Sequence, residues 1–276
     1  MIKIKNYING GLSDSAIENY IDIYNPSIGK VFAQCPDSSE TDLLNAISSA
    51  EQAFPGWSNI NQDERSNFLF RIADIIENNI DEFAEAESLD NGKPYKLSKS
   101  LDIPRSIKNL RFFASLAKNL EELSFKEENV ISRITRTPLG IVSTISPWNL
   151  PLYLFTWKIA PALAMGNCVI SKPSEITPYS SYLFSKTCIE ANLPSGVLSI
   201  LHGFGKNIGN SIVSHNKIKA VSFTGGTKTG KIIAKVASNS LKKVSLEMGG
   251  KNPVMIFDDC NYDKMISSLM KSSFLN

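Results

Sequence analysis

The sequence predicts an α/β protein, a parallel sheet covered by helices and preceded by a helical N-terminal region. Three observations point there. From Val130 onward, short apolar runs alternate with helix-length amphipathic stretches, the pattern of repeated strand–helix units. The runs are nearly continuous rather than alternating, as strands buried on both faces are. Asn149, Lys172, Glu175, Gly225, Gly226 and Glu247 each follow one of them, where the strands of such a sheet turn their carboxyl ends to ligands.

Residues 1–35 read as extended segments, with Tyr20 to Tyr24 and Val31 to Ala33 flanking the turn Asn25-Pro26-Ser27-Ile28-Gly29. Thr41 to Phe54 reads as a helix, with Leu43, Ala46, Ile47 and Ala50 at helical spacing and Pro55-Gly56 as its end. One continuous amphipathic stretch follows. Phe68, Leu69, Ile72, Ile75, Ile76, Ile80 and Phe83 recur at steps of three and four, and Asn91-Gly92-Lys93-Pro94 stops the helix. A third helix spans about Lys99 to Leu120. The strands expected next are Gly140 to Ile145, Cys168 to Ser171, Val197 to Leu201, Ala220 to Phe223, Val244 to Leu246 and Val254 to Phe257. Helices fall near Leu150–Met165, Tyr179–Ala191, Asn207–Ser214, Gly230–Ala237 and Tyr262–Phe274.

Composition narrows the function classes. A chain of 276 residues with 42% hydrophobic and 20% charged residues is an ordinary globular protein able to bury a sizeable core. A net charge of +2 gives no reason to expect a nucleic acid or an acidic membrane as partner. Cys35, Cys168, Cys188 and Cys260 form no C-x-x-C pair, and with two histidines neither a metal site nor a disulfide framework is expected. The start carries no apolar signal region. Leu150 to Ile170, the longest apolar stretch, is interrupted by Lys158, Pro151, Pro161 and Gly166-Asn167, so it reads as a buried helix and a strand. A cytoplasmic location is the expectation.

Val244-Ser245-Leu246-Glu247-Met248-Gly249-Gly250 delivers one carboxylate from an apolar run into two glycines. In a water-poor pocket the pKa of such a group rises toward that of a general base. The plainer reading is a surface glutamate at a strand end. Gly203-Phe204-Gly205-Lys206-Asn207-Ile208-Gly209 is one residue too long for the dinucleotide fingerprint, so a simple turn fits it as well. Gly225, Gly230 and Lys231 satisfy a P-loop spacing, but Ile232 stands where magnesium needs a hydroxyl. What remains is a set of bare amides at a helix N-terminus, favourable to phosphate. Asn149 has an N-cap as its plainer role, and Lys172 an ordinary surface position before Pro173.

In order along the chain stand Ser146-Pro147-Trp148-Asn149-Leu150-Pro151, Trp157 to Asn167, Lys172-Pro173-Ser174-Glu175, Phe223-Thr224-Gly225-Gly226-Thr227 and Leu246-Glu247-Met248-Gly249-Gly250-Lys251. Together they resemble the aldehyde dehydrogenase superfamily, with a flavour closest to its semialdehyde-oxidising members. The resemblance implies oxidation of an aldehyde, the small-molecule substrate, through a thiohemiacetal, hydride transfer to NAD and hydrolysis of a thioester. Asn149 would then donate its amide to the oxyanion and Glu247 would activate the hydrolytic water. Lys172 and Glu175 would contact the adenosine ribose, with the carboxylate repelling a 2′-phosphate. Gly225 and Gly226, opening the helix through Gly230, would receive the pyrophosphate. Ile145, Pro147, Trp148, Gly205 and Thr227 would line the same cofactor surface.

The same resemblance divides the chain into four parts. Residues 1–120 form the helical part of the NAD-binding domain, 121–139 a strand pair used for homo-oligomerisation, 140–250 the NAD-binding units and 251–276 the start of the catalytic domain. The final helix is then expected to expose Ile266, Leu269 and Phe274. Two departures stand out. Gly226 replaces a serine common in the family, and the family's nucleophilic cysteine falls beyond Asn276. Cys260 comes too early for that role, and Cys168 reads as core. Since loss of a covalent nucleophile costs on the order of 10⁶ in rate, the chain alone is expected to be inactive. The competing classes are a catalytically silent NAD-binding protein and, disfavoured by Ile232, a P-loop phosphotransferase.

Overall fold

The computed structural model describes residues 1–274. Near the N-terminus lie β1 (Ile2–Lys3), β2 (Asn6–Ile8), β3 (Gly11–Ser13), β4 (Tyr20–Asn25) and β5 (Lys30–Pro36). The helical layer comprises α1 (Glu40–Asn59), α2 (Gln62–Asn78), α3 (Ile80–Asn91), the single turn α4 (Tyr95–Leu97), a wide π-type turn at Ser98–Asp102 and α5 (Ile103–Lys118). A hairpin follows, β6 (Leu123–Glu127) and β7 (Val130–Ile134). The strand–helix units are β8 (Ile141–Ile145), α6 (Pro151–Ala164), β9 (Cys168–Lys172), α7 (Tyr179–Glu190), β10 (Leu198–Ile200), a second π-type turn at Gly205–Gly209, α8 (Asn210–Ser214), β11 (Ile218–Gly225), α9 (Thr227–Ser238) and β12 (Lys243–Met248). Helix α10 (Tyr262–Phe274) comes last.

Seven strands form the main sheet in the order β12-β11-β8-β9-β10-β2-β3. The five from β8 to β12 run parallel, as expected, and β2 and β3 add an antiparallel edge. The chain winds outward from β8 to β10, then crosses back to place β11 on the other side of β8. That reversal puts a topological switch point between β8 and β11, where doubly wound sheets bind ligands. The central strands are almost wholly buried, with Val169, Ile170, Ile200 and Ile218 at 0% exposure.

Several expectations need correction. Helix α1 runs through Pro55-Gly56 to Asn59. Trp57 is buried against the core, and Arg65 donates to the carbonyls of Trp57, Ser58 and Ile60, so the last turn is satisfied from outside. The continuous helix through Phe68–Phe83 is two, because Asn79 leaves helical geometry at φ −115°, ψ 29° and its Nδ2 donates to the Ile75 carbonyl at 2.8 Å. The third helix begins only at Ile103, after the wide turn. Val254–Phe257 is not a strand: it lies beyond the edge strand β12, and among the described residues nothing pairs with it. In α10, Ile266 and Phe274 are exposed as expected, whereas Leu269 is half-buried. Among the described residues, no helix is long and apolar enough to cross a membrane.

Candidate functional site

The register of the sheet brings the informative residues to one level. Ile145 at the end of β8 pairs with Lys172 on β9 and with Phe223 on β11, and Thr224 pairs with Glu247 on β12. Over these carboxyl ends lies a cavity of about 1300 Å³. Ile145, Pro147, Trp148, Asn149, Lys172, Glu175, Gly205, Gly225 and Gly226 all line it. Thr227, Gly230 and Glu247 do not.

Lys172 is no surface cation. Its side chain is 2% exposed, and Nζ donates to Glu175 Oε2 and to the Pro173 carbonyl, both at 2.9 Å. Burial alone would raise the Glu175 pKa. The Lys172 ammonium and the backbone amides of Glu175 and Gly205 outweigh it, so the carboxyl sits below its ordinary value and stays ionised. One partly exposed carboxylate therefore faces the cavity, backed by a buried cation.

Helix α9 begins at Thr227 with Gly226 as its N-cap, and its first turn holds no acidic residue. The exposed first-turn amides and the helix dipole are thus free for an anion. The P-loop reading fails on this geometry, since Gly230 and Lys231 lie inside the helix rather than in a loop before it. Gly230 acts in packing instead. A Cβ there would collide with Met248, including its Cγ at 2.9 Å. At Gly226 a Cβ would meet nothing within 4 Å. Gly226→Ser is therefore expected to be tolerated, adding an N-cap oxygen and a hydroxyl facing the cavity. Titration with NADH should show an affinity gain of about threefold to tenfold, in line with one added hydrogen bond.

Asn149 is half-buried at the cavity wall. It is not the N-cap of α6; Leu150 is, with no side-chain cap bond. Glu247 departs further from expectation. It is exposed on the edge strand β12, where five of six residues are exposed, and so does not sit in a water-poor pocket. Physical cover on the outer side of β12 is what that pocket requires. Behind the strand, Lys158 on α6 was read from the sequence only as an interruption of an apolar run. Its Nζ donates to Ser222 Oγ at 3.1 Å, and burial lowers its pKa to about 8 against the opposing pull of the Glu247 carboxylate. Asn91, Gly92, Lys93 and Pro94 also line the cavity. Their sequence signal was a helix stop, which says nothing of what lies across from it.

Cys35, Cys168 and Cys188 are buried, and burial pushes the Cys35 and Cys168 thiols up to about 12. No cysteine among the described residues lines the cavity. No cluster of metal-ligating side chains occurs among them either.

A doubly wound parallel sheet with its cavity at the switch point, bounded by a free helix N-terminus and a carboxylate, defines a dinucleotide-binding α/β fold. The chain belongs to the aldehyde dehydrogenase family, whose description matches residues 12–276. It is 43% identical over 280 residues to the 2-aminomuconic semialdehyde dehydrogenase of Mus musculus, an alignment covering 100% of this chain and 57% of that protein. It is 40% identical to the 2-hydroxymuconic semialdehyde dehydrogenase of a Pseudomonas species, covering 100% and 58%. The NAD+ complex structure of an aldehyde dehydrogenase from Bacillus cereus superposes with a TM-score of 0.95 at 34% identity, over 98% of this chain and 55% of that one. The chain thus spans a little over half the length of these relatives.

Proposed function

We propose that this chain supplies the cofactor site of an NAD-dependent aldehyde dehydrogenase that oxidises a semialdehyde to a carboxylate. The observation that carries the reading is the single cavity joining Asn149, the Lys172–Glu175 pair and the open N-terminus of α9. The residues fit the cofactor. Glu175 can accept hydrogen bonds from vicinal ribose hydroxyls, and its charge opposes a 2′-phosphate. The amides from Gly226 onward, with Gly226 bare of a side chain, can take a pyrophosphate. A bound nicotinamide cofactor would supply the acceptor for the hydride of the substrate carbon.

The chain's own residues do the rest. The Asn149 side-chain amide donates to the aldehyde oxygen as charge develops there. Glu247 takes a proton from the hydrolytic water. Lys158, buried behind the strand with its pKa lowered to about 8, is the cation whose charge the Glu247 carboxylate feels. The semialdehyde preference rests on the relatives named for muconic semialdehydes.

The division of the chain into a helical part at 1–120, an oligomerisation strand pair at 121–139, cofactor-binding units at 140–250 and a catalytic-domain start at 251–276 belongs to this proposal. Hairpin β6–β7 supports a homo-oligomer. All of its strand residues are exposed, among them Leu123, Phe125, Val130, Ile131 and Ile134.

The absence of a cysteine from the cavity wall among the described residues favours a second reading for a polypeptide of these residues alone, namely dinucleotide binding without turnover. The test is NADH formation from NAD and a muconic-type semialdehyde, using the protein isolated from its source. Turnover supports the dehydrogenase. NADH binding without turnover supports the silent binder, and absence of both overturns the proposal.

A further inference from the structure

The segment from Pro147 to Leu152 carries Asn149 yet has little support of its own. Leu150 holds the N-cap position of α6 at φ −135°, ψ 70°, without a side-chain cap bond. Its backbone groups are held from another layer of the fold. Asn91 Nδ2 donates to the Trp148 carbonyl at 2.8 Å, and Glu87 Oε1 accepts from the Leu152 amide at 3.3 Å. Between these two contacts, Lys93 Nζ donates to the carbonyl of Asn149 itself at 3.0 Å.

Lys93 is itself clamped. Its side chain is 7% exposed, and Nζ lies 2.8 Å from Asp102 Oδ2, on a side chain 1% exposed. Asp102 closes the wide turn at Ser98–Asp102, a departure from regular helix of the kind that re-aims side chains near functional sites. A charge-assisted bond in a water-poor interior holds its geometry tightly. Tying α3 to α5 would need only the ion pair. The bond to the Asn149 carbonyl serves neither helix.

The geometry points to Lys93 as the positioning residue of the Asn149 amide: clamped by Asp102, it fixes the Asn149 carbonyl and hence the direction in which that side chain leaves the backbone. This rests on the reading of Asn149 as the oxyanion donor. A preorganised donor acts only when its supporting groups hold it to a fraction of an ångström.

Lys93→Met leaves Asp102 buried and unpaired, which threatens folding. Lys93→Met/Asp102→Leu removes both charges together and is commonly tolerated. The double variant of this chain is expected to keep its melting temperature, and its affinity for NADH to within about twofold. Hydrogen exchange of the Leu152 and Leu154 amides, bonded to Glu87 and to the Leu150 carbonyl, should accelerate about tenfold or more, with α3 and α5 as protected as before. In an aldehyde-oxidising polypeptide, kcat should fall about tenfold or more with the aldehyde KM little changed, and the loss should vanish when Asn149 is already alanine.

Unchanged exchange at Leu152 and Leu154, or equal loosening of α3 and α5, overturns the role of Lys93 and leaves that of Asn149 intact. The same holds for an undiminished kcat loss in the Asn149→Ala background. An Asn149→Ala variant with normal kcat overturns the reading of Asn149, and the Lys93 proposal with it.

Discussion

Asn149→Ala is expected to lower kcat for aldehyde oxidation roughly a hundred- to a thousandfold, the cost of removing one oxyanion donor. Affinity for NADH should stay within about twofold, because the Lys172–Glu175 pair and the α9 N-terminus are untouched. The separation follows from the cavity's layout. Asn149 leaves the end of β8, whereas the first amides of α9 follow β11 and the Glu175 carboxylate follows β9. Steady-state kinetics of NADH formation, beside an NADH titration of the same variant, checks both halves. A parallel loss of kcat and cofactor affinity would show that Asn149 holds the cofactor wall rather than the reacting carbonyl.

His202→Leu is expected to make the protein more resistant to acid. His202 is fully buried beyond the end of β10, and neither ring nitrogen makes a hydrogen bond of good geometry. Burial first, and the nearby Lys172 ammonium second, push its pKa down to about 3, with the Lys5 carbonyl pulling slightly the other way. Its folded pKa lies below the unfolded value near 6.5, so the unfolded chain holds more protons between those limits. Stability falls as pH drops through that window, by about 1.4 kcal/mol per unit and about 4–5 kcal/mol across it.

Glu87 and Asp90 act in the opposite sense. Burial raises both, Glu87 to about 7, so their charge penalty grows as pH rises. Those contributions cancel between wild type and variant. Urea midpoints at about pH 7 and about pH 4.5 should therefore show His202→Leu gaining about 2–3 kcal/mol on the wild type at the lower pH. Parallel losses in the two proteins would contradict the buried, uncharged histidine.

The legible part of the sequence was what local pattern determines. Near-continuous apolar runs gave the five parallel strands, and residues at and beyond their ends gave part of the cavity wall. The unread part depended on partners remote in the chain. Nothing local to Pro55-Gly56 reveals that Arg65 will cap the turn beyond it. Asn6 accepts from the His202 amide across 196 residues of sequence, which is how β2 reaches the edge of a sheet built from the other half of the chain.

Lys93 belongs to the expected helix stop and Asp102 falls inside the helix expected from Lys99; only packing makes them a buried pair behind Asn149. Glu247 shows the converse. Its local sequence suggested a pocket, but enclosure is a property of what covers an edge strand, and among the described residues no strand pairs with the outer edge of β12, five of whose six residues are exposed.

The most direct measurement is the ratio of NADPH to NADH dissociation constants for this chain, by fluorescence titration. An ionised Glu175 held by buried Lys172 at the ribose end predicts saturable NADH binding, with NADPH weaker by about tenfold or more and the gap narrowed in Glu175→Gln. Equal affinities, or no saturable binding of either, would contradict a cofactor site at the carboxyl ends of this sheet.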